Sequence, residues 1–574
     1  MKSRRNRTLA KCPNKDGKLI TGAEIITESL IKENVDVIFG YPGGQVIPIF
    51  DTLYDYDCFN FILPRHEQAV VHAADGYARV TGRAGVGIVT SGPGATNTVT
   101  GLATAYMDSI PMVLITGQVP THLIGNDAFQ ESDVTGITRP ISKHNFLVKD
   151  IKDLARTIKE AFHIAESGRP GPVVIDIPSD IQKASFEFNY PEKAEIRSYS
   201  PSYEGNIKQI KKAAELINKS KKAVLYVGGG VIISGAYKEL IALAEKANIP
   251  VTMTLMGLGS MPSDHQLSMG MLGMHGTYYA NHAVQKSDLL ISVGARFDDR
   301  VTGKLSEFAS NAKIIHIDID PTSIAKNVKV DVPVVGDAKN ILTKLISEVA
   351  ETKHEEWVST IDNWKKTHPL EYKQDDNLRP QYVLEILAEI TEGKAIITTD
   401  VGQHQMWAAQ YSNIKYPRSF LTSGGLGTMG FGFPAGLGAK LAVPEKDVFI
   451  IAGDGGVQMN IQELSTAVDK NIPVKIVIIN NGFLGMVRQW QELFYKKRYS
   501  ETILTGNPDF VKLAEAYNAV GIRVTKKSEV RDAFKQAMEI DNTVVMDFVV
   551  EPEENVFPFV PAGKALHEII RGLA

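Results

Sequence analysis

The sequence predicts an α/β protein of three doubly wound parallel-sheet domains. Three observations predict it: the length, the alternation of short apolar runs with amphipathic segments, and polar breaks dividing that alternation into three regions. At 574 residues the chain exceeds what one core supports. Apolar residues make up 44% and charged residues 22%, a balance that builds packed cores and argues against disorder.

The first region covers residues 19–185. Its runs 35–39, 86–90, 112–116 and 173–177 are predominantly apolar, interrupted only by Asp36 and Asp176 and closed by Thr90 and Thr116, as expected of buried parallel strands. Between them, segments 67–80 and 151–167 carry the helical period. Proline and serine near 198–203 mark a linker. The second region, 200–350, offers strands at Ala223–Val227, Leu289–Val293 and 313–319. Residues 351–377 read as a partly helical connector. The third region, 378–550, offers strands at 395–399, 448–452, Lys475–Asn480 and Val544–Val549. Residues 1–18 are expected to form a flexible basic tail, and 551–574 a C-terminal tail.

The bulk numbers exclude several classes. A net charge of −4 gives no electrostatic case for nucleic acid. No apolar run approaches the ~18 residues of a membrane span. The N-terminal segment lacks the apolar stretch of a secretory signal, so the cytoplasm is the expected location, with an organelle the alternative for a eukaryotic source. Of the two cysteines, Cys12 lies in the tail, so no structural disulfide with Cys58 is expected.

The most informative segment lies in the third region. The run 448–452 ends in Gly453-Asp454-Gly455, a helical stretch follows at 460–469, and the next strand ends in Asn480-Asn481. Both polar clusters leave the carboxyl ends of parallel strands, where open α/β sheets bind ligands. Asp454 supplies a hard carboxylate oxygen, Asn481 an amide oxygen and Phe483 a backbone carbonyl. That set leaves room for two phosphate oxygens and water around octahedral magnesium. Gly453 and Gly455 let the backbone come close. Either half alone reads as a turn. Together, 24 residues apart between Gly455 and Asn480, they resemble the thiamine-diphosphate binding motif.

That cofactor needs a sheltered carboxylic acid at its aminopyrimidine N1′, so that N4′ can take the C2 proton. Glu67 in Arg65-His66-Glu67-Gln68 is the candidate. It follows the apolar run 59–63 and opens a helix of small residues, Ala69, Ala73, Ala74 and Gly76, which is expected to form a buried niche. Taken alone, Glu67 would be a solvated glutamate at a helix N-terminus; beside the metal motif it reads as the acid.

Longer motifs carry a resemblance. They are Phe39-Gly40-Tyr41-Pro42-Gly43-Gly44, Ser91-Gly92-Pro93-Gly94-Ala95-Thr96-Asn97, Asp127-Ala128-Phe129-Gln130-Glu131 and Gly270-Met271-Leu272-Gly273-Met274-His275-Gly276. Gly294-Ala295-Arg296-Phe297-Asp298-Asp299-Arg300, the stretch 399–407, Gly427-Thr428-Met429-Gly430 and Gly485-Met486-Val487-Arg488-Gln489-Trp490 complete the set. On these the sequence resembles the acetohydroxyacid synthase family, from residue 19 to the end of the third region.

The resemblance implies pyrimidine-binding, FAD-binding and diphosphate-binding domains in that order. It implies that Glu67 and the metal site meet across a subunit boundary, so that the active unit is a homodimer or larger. Gln403 and His404 would sit near the diphosphate; the Gly427 carbonyl and Met429 amide would hold the pyrimidine, with Met429 bending the cofactor. FAD would meet Arg169, Gly228, Gly229, Gly230, Thr254, Leu255, Met256, Leu272, Gly273, Met274, His275, Gly294, Arg296, Asp298, Asp318 and Asp337. From the residues alone, Val227-Gly228-Gly229-Gly230 is a weak signal, because it fails G-x-G-x-x-G at Ile233.

The implied reaction decarboxylates pyruvate and transfers the hydroxyethyl carbanion to a second 2-oxo acid. The product is 2-acetolactate, or 2-aceto-2-hydroxybutyrate from 2-oxobutyrate, the first common step of valine, leucine and isoleucine biosynthesis. Arg300 would grip the acceptor carboxylate, though an ion pair at the surface or beside FAD is an equal reading. Met486 and Trp490 would line the acceptor pocket, and Phe129 and Gln130 would face the intermediate. A small regulatory subunit commonly accompanies such chains. One departure stands out: Ser179 replaces a lysine that many family members carry near the active-site entrance. The alternatives are a FAD-independent catabolic synthase, a sister oxidase or decarboxylase, and a non-catalytic cofactor-binding relative.

Overall fold

The apolar runs form three six-stranded sheets in which every strand is parallel to its neighbours. The structure, a computed structural model, describes residues 14–572 apart from Lys353. In the first domain the spatial order is Asn60–Ile62, Val37–Tyr41, Gly85–Val89, Met112–Gln118, Pro172–Pro178 and His144–Leu147. In the third it is Phe420–Leu421, Ile396–Thr399, Val448–Gly453, Lys475–Asn480, Val544–Val549 and Val520–Val524. Counted along the chain, both sheets read 2-1-3-4-6-5. The central domain differs: Ser268–Met271, Val251–Met253, Ala223–Val227, Leu289–Val293, Lys313–Asp318 and Val332–Val335 read 3-2-1-4-5-6. That is the order of dinucleotide-binding sheets, whose ligand lies where the strand order reverses.

The expected central strands all form, displaced by one or two residues at their ends. The edge strands His144–Leu147, Val332–Val335 and Phe420–Leu421 have no counterpart among the runs read from the sequence. They are short and partly exposed, so they lack the continuous apolar signal of a covered strand. Leu19–Thr21 pairs antiparallel with Ser185–Glu187, closing the first domain on itself.

Helix Glu67–Thr81 is capped by the His66 side chain, which accepts from the Gln68 amide, and ends at Gly82 with φ 75°, where a Cβ is disfavoured. This helix packs on helix Gly432–Ala442 of the third domain. The contact depends on glycine. A Cβ on Gly76 would overlap the Ala435 carbonyl, and one on Gly438 the Ala73 carbonyl. The outer domains of one chain are thus in backbone contact.

The segment after residue 550 crosses from the third domain to the central one. Val556, Phe559 and Val560 are buried, and the Val560 amide donates to the Met274 carbonyl at 2.8 Å. Cys58 is disulfide-bonded, which corrects the expectation from sequence; its partner lies outside the described residues. No helix among the described residues is long and apolar enough to cross a membrane.

Candidate active site

Asp454 opens helix Asp454–Val457 directly after strand Val448–Gly453, so its carboxylate stands at the strand tip. Asn507 donates to Oδ2 at 2.6 Å, and the Asn481 and Gly482 amides lie close enough to favour the charged carboxylate. Burial outweighs these donors and pushes the Asp454 pKa up to about 6. Oδ1 is buried without a partner. Asn481, at the end of the neighbouring strand, accepts from the Phe483 amide at 3.1 Å and donates to Gln403 Oε1 at 3.2 Å. Gln403 in turn donates to Gln489 Oε1 at 2.9 Å and to the Glu554 carbonyl at 3.0 Å. A Cβ on Gly485 would strike Gln403 Oε1, so the residue there must be glycine for this chain of amides to close.

The glycines flanking Asp454 have separate reasons. A Cβ on Gly453 would lie 2.9 Å from the His404 ring, and one on Gly455 2.8 Å from Leu484. His404 is buried, its Nε2 has no partner, and burial drives its pKa down to about 3, so the ring is neutral. Among the described residues no three His, Cys, Asp or Glu side chains cluster as metal ligands. A single carboxylate with an unpartnered oxygen, beside an amide, fits a hard divalent cation that draws its remaining ligands from a bound diphosphate.

Next to this tip runs the loop carrying Gly427 (φ 70°) and Met429. The Thr428 amide donates to Ser423 Oγ at 3.0 Å, and the Gly430 amide to Asp400 Oδ1 at 2.8 Å. Asn460 donates to the Gly430 carbonyl at 2.7 Å. Asp400 is fully buried and its pKa is pushed up to about 7 by that burial. Asp400, inside the stretch 399–407, and Asn460 had been given no role from sequence. Asp400 directly follows strand Ile396–Thr399 in the chain, a position that could have flagged it.

In the first domain Glu67 is half-buried, so the expected enclosed niche is not formed by this chain. Its Oε2 accepts from Asn97 at 3.0 Å. The turn before it is held by Glu463 of the third domain, whose carboxylate accepts from the Arg65 amide at 2.9 Å. Burial raises the Glu463 pKa to about 7. Phe129 is 84% exposed, and Gln130 (φ 58°) presents its carbonyl to Gly92. Neither lines the cavity that holds Arg300 and Trp490. Ser179 is buried at the start of helix Ser179–Lys183.

That cavity, of about 780 Å³, opens at the carboxyl ends of the central sheet, where the strand order reverses between Ala223–Val227 and Leu289–Val293. Arg169, Gly228, Gly229, Gly230, Thr254, Leu255, Met256, Leu272, Met274, His275, Gly294, Arg296, Asp298, Asp318 and Asp337 all line it. Arg300, Met486, Trp490 and Gly427 line the same cavity, so the residues assigned to FAD and to the acceptor share one space. Tyr226 and Lys326 also line it and were missed, having no motif of their own; Gln405, inside the stretch 399–407, lines it too and had been given no role. Burial pushes the Asp318 pKa up to about 6.

Gly273 stands apart. Asn281 holds its amide at 2.8 Å and its carbonyl at 2.9 Å, and a Cβ there would lie 2.6 Å from the Arg300 carbonyl. The glycine triplet is likewise a packing device. Gly228 and Gly230 lie against Gly294, and the Gly230 amide already donates to the Gly294 carbonyl at 3.1 Å. Gly228 and Gly230 thus let two strand tips meet, while all three glycines line the cavity. The Arg300 guanidinium lies over the Trp490 ring, 5.8 Å from its centroid, and its ion pair is with exposed Asp299 at 3.3 Å.

Comparison with known proteins agrees in each domain. The thiamine pyrophosphate enzyme N-terminal TPP binding domain matches residues 20–137, the central domain 210–345 and the C-terminal TPP binding domain 400–548. An acetolactate synthase large subunit of Haemophilus influenzae is 50% identical over 563 residues, covering 96% of this chain and 98% of that one. An acetolactate synthase large subunit of Mycobacterium tuberculosis is 52% identical over 96% of this chain and 91% of its own. The isozyme 3 large subunit of Escherichia coli is 47% identical over 96% and 98%. With half its residues shared over nearly its whole length, and with TPP binding domains at both ends, the chain belongs to the acetolactate synthase large-subunit family of thiamine pyrophosphate enzymes.

Proposed function

We propose that the protein decarboxylates pyruvate and joins the remaining two-carbon unit to a second 2-oxo acid. Pyruvate as acceptor gives 2-acetolactate; 2-oxobutyrate gives 2-aceto-2-hydroxybutyrate. This is the first common step of branched-chain amino acid biosynthesis. The observation that carries the reading is the unpartnered buried Oδ1 of Asp454 beside Asn481 at adjacent strand tips, in a chain of this family.

Thiamine diphosphate supplies the electron sink for decarboxylation when bound. The protein's own residues do the rest. Asp454, Asn481 and the Phe483 carbonyl hold Mg²⁺ against the diphosphate, with Gln403, His404, Gly453 and Gly455 shaping that end. Gly427 and Met429 hold the pyrimidine, and Glu67 keeps a proton at N1′. Arg300 grips the acceptor carboxylate, and Met486 and Trp490 close around its side chain. FAD occupies the central cavity, a reading supported by the 3-2-1-4-5-6 sheet and by the cavity's place at its switch point.

Two partners follow. Glu67 is half-buried and Phe129 exposed, and neither lines the cavity with Arg300, so a second copy of the chain is the natural cover for them. Relatives bear the name large subunit, which supports a small regulatory subunit as a further partner. The test is to supply the purified protein with thiamine diphosphate, Mg²⁺ and pyruvate, with and without FAD, and to measure acetolactate. Formation that requires all three cofactors is expected. Formation without FAD would move the protein to the catabolic type, and acetaldehyde or acetyl phosphate would overturn the proposed ligation.

A further inference from the structure

The loop from Thr422 to Phe431 touches all three domains. From the first domain, Asp108 accepts the Gly424 amide on Oδ2 at 3.2 Å and the Gly425 amide on Oδ1 at 2.7 Å. Arg79 donates to the Thr422 carbonyl at 2.8 Å, and its guanidinium lies 5.0 Å from the centre of the Phe431 ring. Thr104 and Thr428 share a hydroxyl hydrogen bond of 2.7 Å. Arg79 is itself paired with Asp75 and, at 2.9 Å, with Asp108, and both carboxylates are fully buried.

From the central domain, Met256 Sδ would lie 2.5 Å from a Cβ on Gly424, and Arg296 Nη2 3.3 Å from one on Gly425. Asp108, Met256 and Arg296 all line the central cavity, together with the stretch Ser423 to Gly427. One face of the loop is therefore wall to the cavity assigned to FAD. The same few residues carry Gly427 and Met429, assigned to the thiamine pyrimidine.

We propose that this loop couples the two cofactor sites, so that FAD and thiamine diphosphate tighten each other's binding, with Asp108 as the positioning residue that fixes the shared wall. The inference rests on the cofactor reading above. Gly424, Gly425, Gly427 and Gly430 make the segment costly to order, because glycine loses the most backbone freedom. Whichever cofactor orders the wall first spares the other that cost, and the resulting coupling is reciprocal. Asp108 transmits it because one carboxylate grips two successive loop amides while its helix borders the cavity.

The test is calorimetric titration of the full-length protein with thiamine diphosphate in Mg²⁺, with and without saturating FAD, and the reverse titration. FAD is expected to tighten thiamine diphosphate by at least about 5-fold, with the same factor in reverse. In Asp108→Asn both cofactors still bind, but the factor falls toward one. Gly425→Ala keeps the ion triad and pushes the loop off Asp108 with a methyl that would lie 2.8 Å from Oδ1. It is expected to lose the factor too, and it decides the matter should Asp108→Asn fail to fold. A factor of one in the wild type, or an undiminished factor in the variant that folds, overturns the coupling. Failure of either cofactor to bind the wild type overturns the cofactor reading itself. A merely structural role would weaken both affinities and leave their ratio unchanged.

Discussion

Asn507 donates to Oδ2 of Asp454 at 2.6 Å and leaves the other carboxylate oxygen buried and unpartnered, the oxygen proposed above to meet the cation. The two residues therefore separate in function. Asp454→Ala removes the proposed metal ligand and is expected to abolish Mg²⁺-dependent binding of thiamine diphosphate. Asn507→Ala leaves the ligand but frees it to rotate, and partners of this kind are worth roughly 10- to 100-fold in affinity. Calorimetry on both variants checks the order; equal losses would show that Asn507 does more than orient.

Glu67→Gln keeps the shape of the side chain and its hydrogen bond with Asn97, but cannot hold the proton. Loss of a positioned acid or base costs about 10²- to 10⁴-fold. The expected result is that fall in exchange of the cofactor C2 hydrogen with solvent deuterium, with cofactor binding retained. Mixing inactive Glu67→Gln chains with inactive Asp454→Ala chains should then restore part of the activity, because one site of each mixed dimer carries both intact residues. No recovery after verified subunit exchange would place both residues in a site made by one chain.

Trp490 lines the cavity with Arg300 stacked over its ring. A contact with the extra methyl of 2-oxobutyrate is worth about 1–3 kcal/mol. Trp490→Leu is therefore expected to lower the preference for 2-oxobutyrate over pyruvate about 10-fold or more when the two compete. An unchanged product ratio would remove Trp490 from the acceptor pocket.

Asp176 accepts from Thr116 at 2.7 Å and Gln118 at 2.9 Å, yet burial, aided by the nearby Asp133, pushes its pKa up to about 7. The folded state thus holds this proton more tightly than the unfolded chain does. Stability is expected to fall as pH rises from about 4 to 7, with the penalty, on the order of 4 kcal/mol, complete above that range. Asp176→Asn carries no charge, and the Thr116 hydroxyl can turn to accept from it. The difference between denaturant midpoints at pH 5 and pH 8 should be smaller in the variant than in the wild type, the remainder coming from Asp400, Glu463, Asp454 and Asp318; an unchanged difference would show that the Asp176 carboxyl stays ionised.

The sequence revealed chemistry more readily than enclosure. Asp454 and Asn481 could be paired because each follows a strand whose apolar run marks its end. The spatial order of strands is not written in any run, so the dinucleotide order of the central sheet became visible only in the structure, while its glycine triplet failed the motif test. Gly228 and Gly230 answer to Gly294, more than sixty residues away. Asp400, Asn460 and Asp108 went unnoticed because a buried polar residue earns meaning from the amides it meets, and those lie in distant segments. Glu67 could be placed at its helix start, but its degree of burial could not be read, since enclosure depends on segments distant in sequence.

The helix pair built on Gly76 and Gly438 sets what can move. With no room for a single methyl between Cα and the facing carbonyl, the outer domains cannot slide past one another and behave as a chassis. The glycine-rich segment after Thr422 and the walls of the central cavity are mounted on it, and the stretch around Phe129 stands exposed. A chassis of this kind also carries the Glu67 end and the Asp454 end of one chain at fixed separation, so two sites in a dimer would be built to a common gauge.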